Sequence, residues 1–113
     1  MAAETINTPL CTLLNIKYPV MLAGMNIAAG PALAAAVTNA GGLGVIGGLN
    51  YTPAILRGLL DDLKADLVDK SAPFGVDLLL PAVGEGARKT NVDYTKGQLK
   101  ELIDVVIESG ATL

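Results

Sequence analysis

The 113 residues suffice for one small domain or part of one; 51% are hydrophobic, only 17% are charged, and mean hydropathy is +0.50. Net charge is −3, the 8 Lys and Arg are scattered and aromatics make up 4%, so phosphate backbones and stacked bases find no platform and nucleic acid is not expected as a partner. Cys11 is the only cysteine and histidine is absent, which excludes disulfides and Cys/His metal sites within the chain and leaves Cys11 as a plain buried or half-buried thiol.

Glu4 and Lys17 interrupt any apolar leader, and Asn26, Pro31 and Asn39 break the stretches that approach membrane-spanning length. The expectation is a soluble, cytoplasmic chain with no membrane partner. Tyr18 to Met25 (YPVMLAGM) is apolar without polar alternation, as in a strand buried on both faces of a parallel sheet. Gly30-Pro31 then opens a helix, because proline at the first helical position loses only an N–H that has no partner there. Ala32 to Thr38 propagates it, and Asn39 with Gly41-Gly42 ends it.

Leu43 to Ile46, between two glycine pairs, reads as a second buried strand, and Thr52-Pro53 supplies the next helix with an N-cap and a first-turn proline. Leu56, Leu59, Leu60, Leu63 and Leu67 form its apolar face. Pro73 to Pro81 (PFGVDLLLP) is a third strand, followed by a Gly-rich, charged loop from Ala82 to Asn91. Leu99, Leu102, Ile103 and Val106 mark a third amphipathic helix, with Lys100, Asp104 and Glu108 on its wet side and Gly110 at its stop. Ala111-Thr112-Leu113 would begin a fourth strand. Three strand–helix alternations specify a parallel α/β sheet, but the pattern does not separate a barrel from a doubly wound sheet.

Gly42 to Gly47 matches G-x-G-x-x-G, yet it follows a helix and contains the strand, whereas a dinucleotide site needs it after a strand and opening a helix. Its glycines read as turn formers that allow close packing. No glycine is followed by the Lys-Ser/Thr of a P-loop. The strand C-termini, Ala23-Gly24-Met25-Asn26, Gly47-Gly48 and Asp77, share the end of a parallel sheet where ligands bind. Asp77, a carboxylate inside the apolar run PFGVDLLLP, must be hydrogen-bonded or paired to escape a burial cost of several kcal/mol. A strand-end cap, a pair with Arg88 or Lys89, and a ligand role all remain open for it.

With these residues in view, the chain resembles the nitronate monooxygenase (2-nitropropane dioxygenase) family. The likeness rests on Tyr18-Pro-Val-Met-Leu-Ala-Gly-Met25, Leu33-Ala-Ala-Ala-Val-Thr-Asn-Ala-Gly-Gly-Leu-Gly44 and Pro73-Phe-Gly-Val-Asp77, in order and spacing. The resemblance implies a partial (β/α)8 TIM barrel: residues 1–113 would be its N-terminal part, the first three β/α units, with the barrel continuing beyond Leu113. It implies FMN as cofactor, with Ala23, Gly24, Met25 and Asp77 as cofactor-binding positions. The implied reaction oxidises alkyl nitronates or nitroalkanes with O2 to carbonyl compounds and nitrite, and an FMN-dependent enoyl thioester reductase-like barrel is the nearest enzymatic alternative.

Two positions depart from the family pattern, which commonly has Ala-Pro-Met where this chain has Ala23-Gly24-Met25, and asparagine where it has Asp77. The family's catalytic histidine would lie beyond Leu113, so no catalytic residue and no metal ligand is assigned here. The isolated chain is expected to be inactive, to lack tight FMN binding and to self-associate, since a three-stranded parallel sheet leaves two edges and one face uncovered.

Overall fold

The computed structural model describes residues 6–81 and 92–113. Its elements are α1 (Pro9–Leu14), α2 (Pro31–Asn39), β1 (Gly44–Gly47), α3 (Pro53–Asp66), β2 (Phe74–Asp77) and α4 (Leu99–Ser109). The loop from Ala82 to Asn91, with Arg88 and Lys89, lies outside the described residues.

The helices start and stop where local chemistry directs. Pro31 and Pro53 occupy first-turn positions, and Thr52 Oγ1 accepts from the Ile55 N–H at 3.3 Å. Gly110 closes α4 in the left-handed conformation at φ 81°. Lys100 and Asp104 pair along α4 at 2.7 Å, but Glu108 turns to Arg57 of α3, 2.8 Å away. Leu67 is the C-cap of α3, so the last apolar position of the predicted face sits just past the helix.

The strands are shorter than the apolar runs. From Tyr18 to Met25 there is one parallel bridge, Met21 to Leu43, with 2.9 Å bonds from Leu22 N–H to Leu43 O and from Leu43 N–H to Val20 O. Tight turns consume the ends, Val20 N–H bonding to Tyr18 O and Met25 N–H to Ala23 O, while Pro19 offers no donor. β2 covers only Phe74–Asp77 of the predicted Pro73 to Pro81 strand; past it, Leu79 and Leu80 are exposed.

β1 and β2 pair in parallel, Gly44 opposite Phe74 through Gly47 opposite Asp77. Thr112 N–H donates to Phe74 O at 2.8 Å and Val76 N–H to Leu113 O at 2.9 Å, so the segment expected to begin a fourth strand runs hydrogen-bonded beside β2 without forming a strand of its own. Each strand position thus neighbours the next in sequence. Over the described segments the order does not reverse, as in the wall of a barrel.

The two faces have separate cores. On the outer face, Ala34 and Ala35 of α2, Leu56, Leu60 and Leu63 of α3, and Leu102 and Val105 of α4 bury Ile46 and Phe74. On the inner face, α1, which the strand–helix pattern did not reveal, lays Leu10, Cys11 and Leu14 against Ile16, Leu43 and Val45. Thr8-Pro9 followed by Leu10, Leu13 and Leu14 was its only sequence signal. Cys11 is buried there as a free thiol, as expected.

Gly44 shows what the G-x-G-x-x-G glycines do. A Cβ on it would collide with the Ala34 carbonyl oxygen and stand 2.8 Å from Thr38 Oγ1, so α2 reaches the strand only because that side chain is missing. Thr38 uses this proximity, accepting from Gly44 N–H at 2.9 Å and donating to Pro73 O at 3.0 Å. Asn39 ties α2 to the end of α3 through Asp66 O and Val68 N–H, each at 3.0 Å.

Candidate functional site

Alternation along each strand sends Ala23, Val45, Gly47, Gly75 and Asp77 to the inner face, because registered neighbours in a parallel sheet share a side. The lower part of that face is sealed by α1; the upper part, at the C-terminal ends of the strands, stays open. There a cavity of about 410 Å³ is lined by Met21, Ala23, Gly24, Val45, Asp77 and Leu113, among others. Its size suits a small molecule. Among those residues Asp77 carries the only ionisable side chain.

Three of the four predicted cofactor-binding residues, Ala23, Gly24 and Asp77, therefore line one cavity. Met25 does not line it. Its side chain is exposed, and its backbone crosses over Gly47, where an added Cβ would come within 2.7 Å of Met25 C and Asn26 N. The expectation that Asp77 must be paired against a burial cost is corrected: the residue is exposed, so no burial cost demands a partner. Its place as the last residue of β2 explains this, since the ladder ends there with Gly48 N–H on Asp77 O at 2.8 Å. The suggested partners Arg88 and Lys89 fall outside the described residues.

Sequence reading passed over the turn after Met25. Asn26 Oδ1 is buried with no hydrogen-bond partner among the described residues, and the next residue, Ile27, holds φ 67° with its side chain exposed. A β-branched residue in the left-handed region is strained, and a buried acceptor without a donor costs about 1–3 kcal/mol. Both occur at the ligand end of the sheet. A second hollow of about 310 Å³, between Lys17, Asn39 and Asp69, lies at the opposite end, where parallel barrels place residues for stability rather than chemistry.

Among the described residues there is no cluster of three or more His, Cys, Asp or Glu that could hold a metal ion, and no helix long and apolar enough to cross a membrane. The arrangement offers bare backbone at Gly24 and Gly47, an apolar floor, and a carboxylate that can accept hydrogen bonds. It offers no general base of histidine type, because the chain has no histidine.

Residues 7–112 match the family model described as nitronate monooxygenase. A probable nitronate monooxygenase from Staphylococcus saprophyticus is 33% identical over 126 aligned positions, covering 93% of this chain and 35% of that protein. The (3aS,4S,5R,7aS)-5-hydroxy-7a-methyl-1-oxo-octahydro-1H-indene-4-carboxyl-CoA dehydrogenase of Mycobacterium tuberculosis is 39% identical over 83 residues, 74% of this chain and 22% of that one. Among solved structures, FabK from Thermotoga maritima matches with a TM-score of 0.75 and 33% identity, over 95% of this chain and 29% of its own. The chain thus spans between 22% and 35% of the length of these relatives.

Proposed function

The chain belongs to the nitronate monooxygenase family, and from that premise we propose that residues 1–113 are the N-terminal part of an FMN-binding TIM-barrel domain whose enzyme oxidises alkyl nitronates or nitroalkanes with O2. The observation that carries the reading is the inner-face cavity that gathers Ala23, Gly24 and Asp77 at the C-terminal ends of the strands.

These residues fit the ring and ribityl part of FMN. Bare backbone at Gly24 lets a flat ring approach closely. Asp77 can accept from an imide N–H or a ribityl hydroxyl. The cavity-lining residues include no cation for a phosphate, which is therefore met by groups beyond these residues. When bound, FMN supplies the electron transfer of the overall reaction, in which substrate yields a carbonyl compound and nitrite. The chain's own contribution is to floor the cavity with Val45 and Leu113, to exclude water from below through α1, and to orient the ligand at Asp77.

A second reading, an FMN-dependent thioester reductase-like barrel, is favoured by the overlap with FabK and with the carboxyl-CoA dehydrogenase. Nitrite release from an alkyl nitronate under air, against reduction of an unsaturated acyl thioester, separates the two in a protein carrying the whole barrel.

The site itself is tested on the chain as it stands. Excess FMN is expected to shift the backbone NMR signals of residues 23–25 and 77, and desalting to remove the flavin absorbance. Shifts confined to the α3–α4 surface would refute the site. Flavin retained after desalting would contradict the need for further groups.

A further inference from the structure

Two local costs fall on successive residues of the turn that runs from Met25 to Ala29, between the first strand segment and α2. Asn26 Oδ1 is shut off from solvent and has no hydrogen-bond partner among the described residues. Ile27 holds φ 67° while its side chain is 82% exposed, so packing gives nothing back for a backbone conformation that β-branched residues rarely adopt. Asn15 and Asn50 share that conformation, but asparagine tolerates it.

The ends of the turn are firmly fixed. Met25 N–H donates to Ala23 O at 2.7 Å, Ala29 N–H to Met25 O at 2.8 Å, and Gly47 N–H to the O of buried Ala29 at 3.2 Å. Between them, a 2.8 Å bond from the N–H of exposed Ala28 to Asn26 O holds the strained link. Rotating the Asn26–Ile27 peptide breaks that bond where water can replace it, takes Ile27 out of the left-handed region and lets the carboxamide leave its unpaired position. The turn lies on Gly47, where an added Cβ would come within 2.7 Å of Asn26 N, and it follows Gly24 of the cavity lining. A released Asn26 therefore stands beside the open, ligand end of the inner face. Strain that its surroundings hold in place at such an end is the pattern of a segment with a second conformation.

We propose that this turn is a ligand-operated switch. The empty chain holds the Asn26 carboxamide closed and unpaired. A ligand in the cavity that carries an N–H or O–H donor stabilises the turned conformer, in which Oδ1 accepts from it and Ile27 is relaxed. Because the donor reaches only the turned conformer, the two costs of the closed one lower what the ligand must supply. The donor chemistry is that of a flavin imide or ribityl hydroxyl, or of the amides in the pantetheine arm of an acyl thioester. An alkyl nitronate, whose nitrogen carries only acceptor oxygens, cannot operate the switch. Assigning the donor to flavin rests on the FMN reading of the cavity; the switch itself does not.

The test has two arms on the chain as it stands. Asn26→Leu keeps the approximate shape without the unpaired acceptor, and Ile27→Asn puts a residue that tolerates the left-handed region where isoleucine is strained. Each is expected to raise the urea midpoint of the ligand-free chain by about 0.5 M. An unchanged or lowered midpoint in either variant overturns the stored cost at that residue, and with it the switch. A variant that fails to fold does the same.

In the second arm, FMN and pantetheine are titrated separately while NMR follows the amide signals of Asn26 and Ile27. With the operating ligand these signals shift together with those of residues 23 and 24. Asn26→Leu is expected to weaken binding about fivefold, the loss of one hydrogen bond, and Ile27→Asn, which relaxes the closed turn, about threefold. Unchanged affinity in Asn26→Leu overturns the acceptor role. FMN signals at residues 23, 24 and 77 with no shift at 26 and 27 leave the flavin reading standing and overturn the switch. A response to pantetheine alone supports the switch and counts against the flavin reading, and no response at 26 and 27 to either probe overturns the switch.

Discussion

Replacing Thr38 by valine keeps the shape of the side chain and removes one hydroxyl, which makes it a clean measure of how α2 is fastened to the sheet. The hydroxyl accepts from Gly44 N–H at 2.9 Å and donates to Pro73 O at 3.0 Å, joining α2 to the starts of both β1 and β2. Gly44 is buried, so its N–H has no route to water once the oxygen is gone; Pro73 is half-buried, and its carbonyl can be partly rehydrated. Leaving a buried donor unpaired costs about 1–3 kcal/mol and losing the second bond about 1 kcal/mol, so Thr38→Val should destabilise by about 2–4 kcal/mol. Thr38→Ser retains the hydroxyl and loses one methyl, for about 1 kcal/mol. Urea denaturation followed by far-UV circular dichroism measures both, and hydrogen exchange at the Gly44 amide locates the effect. A Thr38→Val chain as stable as wild type, or a Thr38→Ser chain equally damaged, would refute the bridging role.

Gly44→Ala should also be harmful, by about 3 kcal/mol or failure to fold, because its Cβ meets the Ala34 backbone rather than a movable side chain; melting curves check this. Asp93 accepts from the Thr95 side chain, from Thr95 N–H at 2.8 Å and from Gly97 N–H at 2.9 Å, which hold its carboxyl below the ordinary 3.8. A carboxyl lowered on folding stabilises fully above its unfolded value and loses that contribution as pH falls through the lower folded one. Asp93→Asn should therefore flatten the stability profile below about pH 4, as read in acid titrations of the two chains. Met21, Leu79, Leu80 and Leu113 are exposed around the inner face and the sheet edge, so size-exclusion chromatography should find oligomers. A monodisperse monomer that unfolds cooperatively would contradict this.

The sequence by itself determined the kinds of element and their order. Pro31, Pro53 and Gly110 mark helix ends through backbone rules that act within a few residues, and the leucine spacing from Leu56 selects the buried face of α3 through helical period alone. It also placed Ala23, Gly24 and Asp77 at one end of a parallel sheet, since every strand of such a sheet points the same way. Strand length was not legible, because pairing depends on a neighbour's free N–H and C=O groups: Pro19 and two tight turns cut the first run to a single bridge.

Strand order, the seal made by α1 and the exposure of Asp77 were decided only by tertiary structure. A continuous apolar run cannot report which of its edges is paired, and Asp77 sits at a ladder end rather than within a buried strand. The meeting of Gly24 and Asp77 in one cavity belongs to the same class. Each residue is unremarkable along its own segment, and only the folding of the two strand ends against one another brings bare backbone beside a carboxylate.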